Sequence, residues 1–466
     1  MIKLALQSTV LHEVLYKAKR GKVMLAAIII YIILLAIVGI CDFFKIKDFK
    51  DYAVAGKNQS FSRVFLSLMA TMIGASATIG VADRVVEIGF PAFWWLGVGA
   101  VGLILQAFIL SEKIRALDAN TLPDVASKTV GEGARKLLAL IIAVSWVGII
   151  AAQFVSVAKI IMLVLPETNR YIVLLIIAVF VIAYTIIGGQ MSVIKTDNIQ
   201  AWLIAIGVII TFIYVFVADG SANSEIFANI ELTNDEFKIT DLINLFFITG
   251  GAYFLGPDIV SRNLIAKDGK TAKKAAIASS MALFVFSIII TLTAMWAVEN
   301  IPSKELNGQN PLLYIMDNYV PYPIAILLCL ALIATLVSSA DTCMINAASI
   351  IEYDLLKRDK VKEIRVIVCV LGTISLLIAL FSNNIIGLLM GAYSVYVPGI
   401  VFPLLFGIIC YKKRNINKKL WYMAVIIGGG LGLLNSYFGI GTDFLPLVGM
   451  GVSLLFSVLA VTLNTK

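Results

Sequence analysis

The chain has 466 residues, 60% of them hydrophobic and only 14% charged, with a mean hydropathy of +0.96, a composition that excludes a soluble globular domain. Its net charge of +8 would suit a nucleic-acid binder, but the basic residues fall in alternate loops between apolar runs, so the charge reports membrane topology and no nucleic-acid partner. The single histidine, His12, sits in the N-terminal tail, and Cys41, Cys329, Cys343, Cys369 and Cys410 show no paired spacing, which leaves no disulfide framework, metal cluster or histidine-based chemistry and argues against an enzyme.

Runs of apolar residues long enough for a helix to cross a bilayer core of roughly 30 Å recur thirteen times. Residues 1–21 are a basic tail, expected to be retained and to lie as a surface helix, ahead of an extra span at 22–42. Spans at 62–83, 91–112, 137–165, 171–187 and 197–218 form a first set of five, over 62–218. An acidic loop at 219–239 leads to a second set, at 240–261, 275–298, 322–346, 363–382 and 385–410. Two peripheral spans occupy 420–438 and 444–463, and no loop is long enough for a soluble domain.

An outside N-terminus and a cytoplasmic C-terminus in the cell membrane place KRDKVKEIR (357–365) and KKRNINKK (412–419) inside, and leave the outer loops only Arg84, Arg170, Lys238 and Lys304. The tail, with Lys17, Lys19, Arg20 and Lys22, disagrees with this assignment. Because five is odd, the second set enters the membrane from the opposite face, which is the geometry of an inverted repeat. Each half offers a break in its first helix: MIGASATIG (72–80) and TGGAYFLGPD (249–258), where glycine eases unwinding and Pro257 lacks an N–H. Freed carbonyls there would ligate a hard cation; close helix packing is the plainer use of the same glycines. Packing also explains GVGAVG (97–102), a dinucleotide-like pattern inside a span, and GGGLGLL (428–434).

The span holding ALIATLVSSADTCMINAAS (331–349) crowds Ser338, Ser339, Asp341 and Thr342 into hydrocarbon, where an ionisable group costs at least ~2.5 kcal/mol and marks a functional site by default. Lys159, on the outer half of the fourth span, either attracts an anionic solute or, the plainer reading, snorkels to the interface.

Four motifs carry a resemblance over about 51–410: DYAVAGKNQS (51–60), GGQMSVIKTDNIQ (188–200), GPDIVSRNLIAKD (256–268) and the SSADT cluster. Together the chain resembles the sodium:solute symporter family, which includes sodium/glucose and sodium/proline symporters. The resemblance implies an all-α polytopic membrane protein of leucine-transporter type, a 5+5 inverted-repeat core moving a small solute inward with sodium by alternating access. It implies a main sodium site of the Ala70 and Ile73 carbonyls with the Ser338 and Ser339 hydroxyls, unless both serines only bond to their own helix.

Asp197 resembles the family's acidic residue near the sodium exit path, and with Ser338, Asp341 and Thr342 would form a possible second cation site; a helix N-cap is its plainer role. Asp341 departs from the family's hydroxyl residue there, so selectivity at that site is open. For the solute the resemblance points to Thr71, Met72 and Ala77, with Gln153, Thr249, Tyr253, Tyr393 and Tyr396 as further candidates. Met72 and Ala77 stand where sugar-transporting members are polar, which turns the expectation from sugars to an organic acid, amino acid or similar metabolite. The partners expected are the solute, sodium and the lipid bilayer, with no obligate protein partner evident. Proton coupling through Asp341 and Asp197, or a non-transporting solute sensor, are the rival functions.

Overall fold

The computed structural model describes residues 2–43, 46–218, 226–227, 230–442 and 444–463, with side chains from residue 20 onward. A backbone in hydrocarbon must satisfy its own N–H and C=O groups, and an apolar chain does so by coiling into helices. Among the described residues the only β-type contact is an isolated parallel bridge between Gln59 and Ala266. Eleven helices are long and apolar enough to cross a membrane, or twelve if the bent pair Phe61–Met72 and Ser76–Ile88, inclined at 56°, counts as one span.

The first helix, α1 (Ile2–Phe43), is continuous, so the basic tail is no separate surface helix: its backbone runs straight into the first span. The Arg20 guanidinium donates to Met316 O at 2.6 Å, and Tyr322 Oη donates to Arg20 O at 2.7 Å. Near the other end, Lys195 Nζ meets Asp42 Oδ1 at 2.5 Å. The expected second span is α2 (Phe61–Met72), a break at 73–75, a widened turn at Ser76–Gly80, and α3 (Val81–Ile88). Then come α4 (Trp94–Ile109), α5 (Leu122–Thr129) and α6 (Glu132–Val164).

The spans expected at 171–187 and 197–218 join in α7 (Arg170–Ile213), whose 44 residues are interrupted at Gly189, with φ 57° and ψ −175°. A straight helix of that length would run about 66 Å, twice a bilayer core, so the glycine lets the chain fold back without a loop. The acidic segment after it lies partly outside the described residues.

The second half opens with α8 (Ile239–Leu245), a widened turn, α9 (Gly251–Leu255) and α10 (Pro257–Ile265). It continues through α11 (Gly269–Asn300), α12 (Tyr322–Ile350), α13 (Val361–Phe381) and α14 (Ile385–Cys410). The peripheral pair is α15 (Lys418–Phe438) and α16 (Leu445–Thr462). From Ala331 to Ile350, α12 is buried on every side, so its polar residues face protein and not lipid.

Candidate functional site

Both breaks fall where glycine and proline place them. Helix α2 ends at Ile73, with φ −86° and ψ 71°, and a Cβ on Gly74 would lie 2.7 Å from Ser339 Oγ. Only a residue without a side chain lets α12 approach so closely. In the second half Gly256 turns extended, with φ −68° and ψ 147°, and a Cβ there would lie 2.6 Å from Ala252 O. The carbonyl of Leu255, stranded by the break, accepts from Tyr396 Oη at 2.5 Å. Tyr253 Oη donates to Met72 O at 3.1 Å and ties the two broken helices together.

At the first break Ser339 Oγ lies 2.8 Å from Thr71 O and 3.0 Å from Thr335 O, so the hydroxyl spans its own helix and the end of α2 at once. Ala70 and Ile73 are buried beside this contact. Ser338 turns elsewhere, donating to Asp197 Oδ1 at 2.5 Å. The two serines adjoin in sequence and serve different neighbours.

Asp197 lies inside α7 with helix on both sides, so it is not a cap. Its Oδ2 accepts from Ser67 Oγ at 2.5 Å and from Arg262 Nη2 at 3.0 Å. Arg262, fully buried, also donates through Nη2 to Thr71 Oγ1 at 2.8 Å and Thr342 Oγ1 at 2.7 Å, and through Nε to Ser67 Oγ at 3.1 Å. One guanidinium thus joins α2, α7, α10 and α12, and a cation already sits among the residues expected to hold a second one. Asp341 is buried and makes no ion pair among the described residues; it interacts with Thr342, and its charged and phenolic neighbours are Asp197, Arg262, Tyr31 and Tyr184.

Between the broken helices and α6 lies a cavity of about 30 Å³, closed down to the size of a water or two, so its walls must part to admit a solute. Of the expected solute contacts, Thr71, Met72, Gln153, Tyr253 and Tyr393 line it. Ala77, Thr249 and Tyr396 do not. Ala77 packs in the core, Thr249 Oγ1 faces Met390 Sδ at 3.8 Å, and Tyr396 stands edge-on behind Trp146, ring centres 4.8 Å apart. Gln153 Oε1 accepts from Ala75 N at 3.1 Å and so props the break open.

Trp146, Asp258 and Cys343 also line the cavity and were not anticipated; Trp146 lies seven residues from Gln153, two helical turns on one face, and Asp258 and Arg262 both belong to the GPDIVSRN motif. Toward one end of the molecule, Lys159 is paired: its Nζ lies 3.4 Å from Asp83 Oδ2, while Asn310 Nδ2 donates to Asp83 Oδ1 at 2.6 Å.

Comparison with known proteins follows the same outline. A Na⁺-coupled sialic acid symporter in a substrate-bound, outward-open state superposes with a TM-score of 0.77 at 17% identity, covering 95% of this chain and 98% of that one. Mhp1, a nucleobase-cation-symport-1 family transporter in a closed conformation with bromovinylhydantoin bound, gives 0.63 at 13% identity over 88% and 94%. MhsT in complex with L-phenylalanine gives 0.60 at 14% over 85% and 98%. Likeness at such identities establishes the shared leucine-transporter-type fold. At the level of sequence, residues 52–428 match the sodium:solute symporter family, and with its many apolar helices the chain is a multi-pass membrane transporter of that family, with sodium as its coupling ion.

Proposed function

We propose that the chain imports a small organic solute together with sodium by alternating access, on a core of two inverted five-helix halves. The observation that carries this reading is the meeting of Ser339 with the end of broken helix α2 at Thr71 O, where hydroxyl and carbonyl oxygens converge beside the cavity. Neutral oxygens displace water from a monovalent ion without holding it irreversibly. In this reading Ala70, Ile73 and Ser339 hold the main sodium site, which Ser338 joins by turning away from Asp197, and the carboxylates of Asp197 and Asp341 line the route beyond it.

Halving α7 at Gly189 and counting the bent pair as one span gives thirteen crossings, which supports five helices per half. The membrane-crossing part of α1 begins at Arg20, where Tyr322 at the start of α12 contacts it, and with the basic segment after α12 this supports an outside N-terminus.

Thermal unfolding in sodium, potassium and choline chloride at matched ionic strength tests the reading. An ion at ten times its dissociation constant stabilises by about 1.4 kcal/mol. Sodium alone is expected to stabilise the wild type, and Ser339→Ala to lose that response. Equal behaviour in sodium and potassium would remove the site and turn attention to proton coupling or sensing.

A further inference from the structure

The cavity holds a carboxylate with no salt-bridge partner among the described residues, answered within the protein by Arg262 and the neighbouring Trp146 indole. Among the described residues that line it, Asp258 is the only charged one, and no lysine, arginine or histidine stands beside it. It is the second residue of α10, immediately beyond the Gly256 break, so the break itself delivers its side chain to the space between the two half-helices. Its Oδ1 is buried and makes no hydrogen bond among the described residues. The nearest cation, one helical turn on, is Arg262, whose donors are directed at Ser67, Thr71, Asp197, Ser261 and Thr342. A buried carboxylate oxygen without a donor is costly unless a ligand supplies one.

The walls around Asp258 fit the same partner. Trp146, Tyr253 and Tyr393 present aromatic surface to the cavity, and aromatic faces attract cations. Ser339, of the proposed sodium site, lines the same cavity together with Thr71, so a bound sodium ion would set a positive charge in the space that holds the negative one. We propose that the transported solute carries a protonated or quaternary amine that Asp258 binds, and that any carboxylate it bears turns toward the sodium ion. Amino acids and their N-methylated relatives meet this description. Simple organic acids, which would place a second negative charge beside Asp258, do not.

This inference rests on the sodium-coupled import reading, and the experiment separates the two. Purified protein is melted in sodium and in choline-free potassium buffer with matched pairs of compounds: α-amino acids against the corresponding 2-hydroxy acids, and betaines against their carboxylic acids. Stabilisation is expected only from the amine-bearing member of a pair, and only in sodium. Asp258→Asn, which keeps size and shape, is expected to retain the response to sodium alone and to weaken amine binding on the order of 100-fold, the loss typical of removing one partner of a buried charged contact. Asp258→Glu is expected to keep the preference for amines at reduced affinity. If a 2-hydroxy acid or a sugar stabilises better than every amine, or if Asp258→Asn binds the amine undiminished, the inference is overturned while the sodium response still stands. Loss of the sodium response in the wild type would instead overturn the transport reading beneath it.

Discussion

Arg262 is the residue on which the buried polar network turns. It gives up no charge to water, and its Nη2 reaches Asp197, Thr71 and Thr342 together. Removing one partner of a buried ion pair strands the other, at about 3–5 kcal/mol. Arg262→Met is therefore expected to lower stability by that amount, and Arg262→Met with Asp197→Asn to recover a large part of it, as read from a double-mutant cycle of thermal unfolding. A cycle that summed without coupling would mean the pair contributes nothing together. The serines at 338 and 339 are legible in the sequence because hydroxyls and an acid inside an apolar run are conspicuous. Arg262 is not, because the apolar run at 240–261 stops just before it and a cation past the end of a span reads as a loop residue. Only the packing of α10 against α2, α7 and α12 buries it.

At the scale of elements, the breaks in the two half-helices can be read from Gly74, Gly256 and Pro257, since each has a local reason to stop a helix. The join inside α7 cannot. Residues 188–196 carry enough polar groups to look like a loop, yet Thr196 bonds back to Ser192 O at 3.1 Å and the helix resumes at once after a single glycine. Gly189 holds a φ of 57° with an extended ψ, and a Cβ there would lie 2.8 Å from Tyr52 Cδ2. Gly189→Ala is expected to destabilise by at least about 2 kcal/mol in thermal unfolding, through backbone strain and overpacking combined. The glycines read as packing residues serve as such: a Cβ on Gly102 would lie 2.2 Å from Gly250 O, and one on Gly432 1.7 Å from Ser394 O. Gly102→Leu should therefore separate α4 from the second broken helix, and loss of folded yield on size-exclusion chromatography would show it. The Lys159 and Asp83 pair, more than a third exposed on both sides, is worth under about 1 kcal/mol, so Lys159→Gln should leave stability nearly unchanged in the same assay.

Over the whole molecule, composition suffices for the class of protein, because that follows from the bilayer and not from side-chain contacts, and the alternation of basic loops carries the proposed topology. A cysteine placed at Lys304, in a background with the native cysteines replaced, should react with an impermeant thiol reagent applied to intact cells, while one at Lys413 should react only after permeabilisation. The opposite pattern would invert the topology proposed for both termini. The solute cavity and the ion route are less legible, since they are assembled from helices spread between α2 and α14. The Arg262 and Asp197 pair bears on energetics at this scale as well. Its two opposite charges cancel, so as long as they stay paired they add no net charge to any movement through the electric field. Sodium does carry charge across, and each ion moving inward through 100 mV gains about 2.3 kcal/mol. Uptake of a zwitterion would then be electrogenic, and a resting membrane voltage would drive accumulation even with sodium equal on both sides.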